Sequence, residues 1–123
     1  MIMSIACTPA TSVIEINATR ITPLKALEMM ETYDNLIIID VRNPWEFEEG
    51  HIPGAINLPQ GYILEQAFML IPDFDQLILV YCRSGIRSAD ASKVLAGLGF
   101  KNVYDFGGIL DWVGDIVTFT EFE

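Results

Sequence analysis

The sequence predicts an α/β domain in which a parallel sheet carries helices on both faces. Two continuous apolar runs, residues 36–39 and 77–81, are typical of strands that are covered on both sides. Segments with helical spacing of apolar residues separate these runs from the other predicted strands. Strands that alternate with helices in this way favour parallel pairing, since each connection must cross back over the sheet.

The first half of the chain contains one helix with a clear start signal. Thr22 is a predicted N-cap, and Pro23 suits the first helical position of a helix that continues through residues 24–31. The other elements predicted here, in chain order, are a short strand at 13–16, the buried strand at 36–39, a helical turn at 44–49 and a weaker strand at 54–58.

The second half repeats the alternation around its strongest strand, residues 77–81. A helix is predicted over residues 88–98, because its apolar residues share one face and Gly99 follows as a stop signal. The remaining elements are a helix at 62–71, a strand at 103–106 and a short helix at 109–113. In parallel sheets, sites form at the carboxyl ends of strands, which directs attention to Asp40 and Cys82.

Composition indicates one globular domain with an acidic surface. The chain has 123 residues, of which 51% are apolar and 20% charged, so neither disorder nor a disulfide-stapled miniprotein fits. The net charge is −10, and the acidic residues are spread evenly over both halves. Because such a surface repels polyanions, nucleic-acid binding is not expected. The charge is compatible with a monomer, and we expect one.

Cysteine use and apolar run lengths favour a reduced, cytoplasmic setting. The two cysteines, Cys7 and Cys82, and one histidine are too few for a structural zinc site. The longest apolar run, residues 77–82, is far shorter than the roughly 18 residues that span a membrane. No basic n-region precedes the short apolar N-terminus, so no signal peptide and no membrane association are expected.

The loop after the 77–81 strand carries the chemistry. Cys82 ends this strand, and the next helix is predicted to start near Ser88, so loop amides can point inward as in anion-binding nests. Gly85 permits the positive φ that such a cradle uses. Arg83 and Arg87 add two positive charges, which favour the thiolate form of the cysteine. A soft nucleophile in an anion cradle indicates a small anionic substrate.

A less specific interpretation of the same loop is open at this point. Cys82 could be a buried cysteine at a strand end, followed by a solvated basic turn. A cysteine and an arginine five positions apart are a weak pattern by themselves.

Three blocks of sequence together resemble the rhodanese-like, or thiosulfate sulfurtransferase, family. The first contains Ile-Asp-Val-Arg at 39–42, Glu-Phe at 46–47 and Gly-His-Ile-Pro-Gly-Ala-Ile-Asn-Leu-Pro at 50–59. The second, Cys-Arg-Ser-Gly-Ile-Arg-Ser at 82–88, is similar to the family's active-site loop. The third is Gly-Gly-Ile at 107–109, with Trp112 after it. The blocks occur in the family's order and spacing.

This resemblance implies a doubly wound, five-stranded parallel sheet in a rhodanese-like domain over residues 13–117. Residues 1–12 are then an N-terminal segment, and residues 118–123 are a short acidic tail. It further implies a sulfurtransferase in which Cys82 carries sulfur as a persulfide, with no metal or organic cofactor. The loop around the sulfur would consist of Arg83, Ser84, Gly85, Ile86 and Arg87. The donor would be thiosulfate or a persulfide, and the acceptor cyanide, a thiol or a protein.

Two other functions remain open within the resemblance. A binding or sulfur-relay module would use the same fold to dock a partner, and a protein-borne donor would require an exposed patch around the loop. A phosphatase or arsenate reductase is the weaker alternative. Cys82 to Arg87 is a six-residue loop, the length that the resemblance associates with sulfurtransferases. By the same resemblance, the loops of the phosphatases and arsenate reductases have one residue more.

The remaining candidate residues are expected to be structural. By the resemblance, Asp40 and Arg42 form an ion pair that braces the site, and His51 is a hydrogen-bonded turn residue rather than half of a Cys-His dyad. Trp45 and Phe47 would cover the sheet, and Trp112 would pack beside the site. Cys7 is expected to be a spare thiol, with a role as resolving cysteine as the alternative.

Overall fold

The computed structural model describes residues 18–118, and its elements alternate as expected. They are β1 (Ala18–Arg20), α1 (Pro23–Thr32), β2 (Leu36–Asp40), α2 (Pro44–Glu49), β3 (Ile56–Asn57), α3 (Ile63–Leu70), β4 (Leu77–Cys82), α4 (Ile86–Gly97) and β5 (Asn102–Gly108). Two 3₁₀ turns, Gln60–Tyr62 and Ile109–Asp111, complete the order. The strand predicted at 13–16 lies outside the described residues.

All five strands pair in parallel, in the order β1-β5-β4-β2-β3, which confirms the predicted fold class. β4 lies at the centre, so its carboxyl end is flanked by strands on both sides. The sheet separates two apolar cores. Ile78, Val80 and Cys82 point into the core that contains α3 and α4, whereas Leu79 and Tyr81 point into the core that contains α1. This explains why β4 is apolar without alternation.

Local signals in the sequence account for the helix boundaries. Thr22 caps α1 as predicted, because its Oγ accepts the N–H of Lys25 at 3.0 Å. The start predicted for the helix near Ser88 is wrong by two residues. Gly85 is the N-cap at φ 104°, and this left-handed backbone lets α4 begin at Ile86, directly after the loop.

Two other predicted elements are shorter than expected, and one described strand was not predicted. The strand predicted at 54–58 is reduced to Ile56–Asn57, since only these residues pair with β2. The short helix predicted at 109–113 is a single 3₁₀ turn. The described edge strand β1 was not predicted, because a three-residue strand with a polar exposed side gives no periodic signal.

A bulge interrupts the regular pairing between the last residues of β4 and those of β5. Val80 lies opposite Asp105, but Cys82 lies opposite Gly108, so β5 contains one residue more than β4 over this stretch. Gly107, at φ 93°, adopts the left-handed backbone that such an insertion commonly uses. The irregularity falls directly beside the candidate nucleophile.

Within residues 18–118, no helix has the length and apolar character needed to cross a membrane.

Candidate active site

The Cys82 sulfur lies under the loop that joins β4 to α4. The residue is fully buried, and its Sγ accepts the backbone N–H of Gly85 at 3.0 Å. Gly85 has a positive φ, and its amide points back toward the strand end. The sulfur therefore sits where a loop amide and the start of α4 both favour negative charge.

The loop packs tightly against the end of β5. The carbonyl of Arg83 accepts the N–H of Leu110 at 3.2 Å, and this carbonyl lies so close to Gly108 that a Cβ there would overlap with it. The loop can therefore take this path only because residue 108 has no side chain. Arg83, Ser84 and Ile86 are exposed, whereas Gly85 is buried.

Arg87 is held by a carboxylate from another element. Its two terminal nitrogens donate to the two carboxylate oxygens of Glu46, in α2, at 2.8 and 3.0 Å. Glu46 Oε1 also accepts the N–H of Asn43 as part of the capping box of α2. The hydrogen bonds from Arg87 lower the pKa of Glu46 to about 2, and those to Glu46 raise the pKa of Arg87.

Asp40 and Arg42 form a buried ion pair next to the site. Arg42 Nη2 donates to Asp40 Oδ2 at 2.7 Å and to the carbonyl of Gly50 at 2.7 Å. Burial acts to lower the pKa of Arg42, but the hydrogen bond and charge of Asp40 outweigh it and raise that pKa. Asn57 donates to the carbonyls of both residues. The pair joins the end of β2 to the following segments, and its bracing role stays a prediction that these contacts support.

His51 lies in the connection between α2 and β3. Its Nδ1 donates to the carbonyl of Phe47 at 2.8 Å, and its ring stacks on the Phe47 ring with 3.7 Å between centroids. The backbone of His51 also pairs with Val117. These contacts support the predicted structural role. Trp112 packs against Phe106, and its Nε1 donates to the carbonyl of Asp115.

Three residues near the sulfur were not predicted as site residues. Ser88 Oγ lies 3.5 Å from Cys82 Sγ and 2.7 Å from Asp105 Oδ1. Arg20 binds the other carboxylate oxygen of Asp105 through Nε at 2.9 Å, and it donates to the carbonyl of Gly85. Ser88 could have been singled out, since it follows Arg87 directly. Asp105 and Arg20 carry no such signal, because only the pairing of three strands brings them there.

A cleft of about 230 Å³ opens beside the loop, with Arg42, Glu46 and Arg83 among its lining residues. A larger cavity of about 460 Å³, lined by Tyr33, Gln76 and other residues, contains none of the residues around Cys82. In residues 18–118 no three His, Cys, Asp or Glu side chains come together as a metal site would require.

The fold and the site define a class: a doubly wound α/β domain with a buried cysteine in an amide-lined loop at the carboxyl edge of its parallel sheet. The sequence model that describes the rhodanese-like domain family matches residues 22–115 of the chain. The chain therefore belongs to the rhodanese-like domain family.

Individual relatives differ in their named activities. The thiosulfate sulfurtransferase GlpE of Pseudoalteromonas translucida is 36% identical, over 72% of this chain and 82% of its own length. The tRNA uridine(34) hydroxylase of Photorhabdus laumondii is 40% identical over 72% of this chain, but the match spans only 27% of the hydroxylase. A solved structure described as rhodanese with anions from E. coli is 33% identical with a TM-score of 0.64, covering 67% of this chain and 96% of the other.

Proposed function

We propose that this protein is a sulfurtransferase that carries sulfane sulfur as a persulfide on Cys82. The observation that carries the proposal is the 3.0 Å hydrogen bond from the Gly85 amide to Cys82 Sγ, inside a six-residue loop that ends at Arg87. An amide that donates to sulfur stabilises the thiolate, which is the nucleophilic form.

Transfer takes two steps. The Cys82 sulfur attacks the outer sulfur of thiosulfate or of a persulfide donor, the donor's S–S bond breaks, and the leaving group departs with the electron pair. The charge that develops on it faces Arg83, which lines the cleft, and the amides of the loop. An acceptor such as cyanide, a thiol or a protein cysteine then attacks the outer sulfur of the Cys82 persulfide and releases the thiolate.

Persulfide formation is tested by intact mass after incubation with thiosulfate in the absence of reductant. The wild type is expected to gain about 32 Da, one sulfur atom, and to lose it on addition of cyanide or a thiol. Cys82→Ser is expected to gain nothing, whereas Cys7→Ser is the matched control and should behave as wild type. If glutathione persulfide also fails to load the wild type, the proposal is wrong.

A second candidate function, docking of a protein that donates or accepts sulfur, is favoured by apolar exposure around the loop. Ile86 is 74% exposed at the start of α4, and Leu110, whose N–H binds the loop, is 61% exposed. Trp45 and Ile116, which line the 230 Å³ cleft, are 60% and 43% exposed. Under this alternative, Cys82→Ser would still bind the partner while transferring no sulfur.

Two other activities have weaker support. The match to the tRNA hydroxylase covers a small part of that enzyme, and a net charge of −10 disfavours an RNA substrate. A phosphatase or arsenate reductase is disfavoured by the six-residue loop, as the family resemblance implies. Hydrolysis of para-nitrophenyl phosphate that is lost in Cys82→Ser would favour the phosphatase instead.

A further inference from the structure

The hydroxyl of Ser88 has one hydrogen and several acceptors. Its Oγ, fully buried, lies 2.7 Å from Asp105 Oδ1 and 3.2 Å from the carbonyl oxygens of Gly85 and Gly107. An ionised Asp105 and two carbonyls can only accept, so the hydrogen goes to the nearest oxygen, that of Asp105. A lone pair of Ser88 Oγ then faces Cys82 Sγ, 3.5 Å away, and suits a sulfur that donates its S–H.

Within residues 18–118, Ser88 is the hydrogen-bond acceptor that can take the thiol proton of Cys82. In the described part of the chain, the hydrogen bonds of Cys82 Sγ run to the Gly85 amide, which is a donor, and to Ser88. Cys82 is fully buried, so bulk water reaches its sulfur less readily than Ser88 does. The proton can leave along the hydrogen bond to Ser88.

The path continues from Ser88 to the surface. Asp105 Oδ1 also accepts the N–H of Gly107 at 2.9 Å, and Oδ2 binds Arg20. Side-chain exposure rises from 5% at Asp105 to 54% at Arg20. Asp105 lines a cleft of about 160 Å³, together with Arg20 and Lys93, and this cleft shares no residue with the one at Arg83. Asp105 can thus exchange a proton with water through a cleft other than the one that Arg83 lines.

We propose that Asp105, acting through Ser88, accepts the proton of Cys82 and returns it, while Arg20 holds the carboxylate in place. The inference rests on the proposed sulfur transfer. As the bond from Cys82 to the donor's outer sulfur forms, the thiol proton passes to Ser88 Oγ and the hydroxyl proton passes to Asp105 Oδ1. The donor's S–S bond breaks, and sulfite leaves with the electron pair.

The second half-reaction reverses the proton movement. The acceptor attacks the outer sulfur, the S–S bond of the persulfide breaks, and Cys82 keeps the electron pair. Its sulfur then recovers the proton from Asp105 through Ser88. Three charged groups act on this path. Arg20 and Lys93 lie beside Asp105, and the charge of Arg87 interacts with Cys82. No further reactant is required.

The test is the pH profile for alkylation of Cys82 by iodoacetamide, followed by intact mass in a Cys7→Ser background. The variants are Asp105→Asn, Ser88→Ala and the two combined. The control is Asp90→Asn, which removes an exposed carboxylate from α4. Asp105→Asn is expected to lower the rate constant on the order of 100-fold near pH 6, and by less than about 3-fold near pH 9, where hydroxide replaces the carboxylate as base.

Ser88→Ala should give the same pH profile as Asp105→Asn. The rate constant of the double variant should fall no further than that of either single variant. Asp90→Asn should match wild type at every pH. An equal loss at both pH values would mean that Asp105 only supports the loop. A faster alkylation of Asp105→Asn than of wild type near pH 6 would mean that Asp105 affects Cys82 only through its negative charge. Either result overturns the proposal, as does additivity in the double variant. Should Asp105→Asn not fold, Ser88→Ala decides by the same criteria.

Alkylation needs no sulfur donor, so the two proposals fail separately. A wild type with the expected alkylation profile that takes no sulfur from thiosulfate or glutathione persulfide contradicts the sulfurtransferase function alone. A wild type that forms the persulfide, but whose variants show a pH-independent loss, contradicts the proton path alone.

Discussion

The guanidinium group of Arg87 and the carboxylate of Glu46 are joined by two parallel hydrogen bonds of 2.8 and 3.0 Å. Arg87 belongs to the first turn of α4, and Glu46 belongs to α2, 41 residues earlier. The pair thus fastens the loop around Cys82 to a helix on the other side of the cleft. It also satisfies the arginine with a protein carboxylate, whereas Arg83 is exposed and makes no ion pair within residues 18–118.

The pair predicts a dependence of stability on pH. Glu46 has a pKa of about 2 in the folded protein, below its ordinary value of 4.5, so its contribution is complete above about pH 5 and is lost as the pH falls toward 2. Glu46→Gln is expected to cost about 2 kcal/mol near pH 6, allowing for the partial exposure of Arg87, and almost nothing near pH 2. Melting temperatures at both pH values measure this. An equal loss of stability near pH 6 and near pH 2 would contradict the proposed link between the ionisation of Glu46 and the stability of the fold.

Gly108→Ala is expected to break the loop. A Cβ at this position would overlap with the carbonyl of Arg83, and backbone cannot move aside as a side chain can. We expect a loss of about 3 kcal/mol or more and little persulfide formation. Gly97→Ala is the matched control, because nothing lies within 4 Å of its Cβ position in α4, and it should stabilise the protein by about 0.5–1 kcal/mol. Urea unfolding compares the two, and equal stability would refute the steric argument.

Asp40→Asn should affect stability far more than activity. It removes the charge that compensates the buried Arg42, and breaking a buried pair in this way costs about 3–5 kcal/mol. Asp34→Asn, at an exposed position, should change stability by less than about 0.5 kcal/mol. Sulfur transfer per folded molecule is measured alongside urea unfolding. A loss of transfer without a loss of stability would assign Asp40 a direct role in the reaction.

Arg83→Gln is expected to weaken the use of thiosulfate without destabilising the fold, since Arg83 is exposed and makes no ion pair within residues 18–118. We expect kcat/KM for thiosulfate to fall about 10-fold at low ionic strength, and the difference from wild type to shrink as salt is added. Lys101→Gln, which also removes one positive charge at an exposed position, should leave kcat/KM unchanged. A fall in kcat/KM that salt does not reduce would argue against charge attraction.

Much of the fold and the core of the site could be predicted from local sequence. The apolar runs identified β2 and β4, Thr22 and Pro23 identified the start of α1, and the placement of Cys82 at a strand end followed from the fold class. These features depend on neighbouring residues, so the pattern along the chain is sufficient to find them.

The partners of the site could not be predicted in the same way. Glu46 meets Arg87, and Asp105 meets Ser88, only because the strands cross over and bring distant segments together. In particular, the position of Asp105 relative to Cys82 depends on the pairing register of β4 and β5. Where the register shifts, β5 ends in Gly107 and Gly108, which have no side chains to mark one face of the sheet, so the alternation of apolar and polar residues could not reveal the shift.

The bulge at Gly107 gives the site a geometry that a regular ladder would not allow. In a regular ladder of the same sequence, Gly107 rather than Gly108 would lie opposite Cys82. Deleting Gly107 would restore an even ladder with Gly108 still opposite Cys82, but it would remove the carbonyl that lies 3.2 Å from Ser88 Oγ and the amide that donates to Asp105 Oδ1. The extra residue therefore supplies polar contacts to Ser88 and Asp105 that an even ladder would lack at this position.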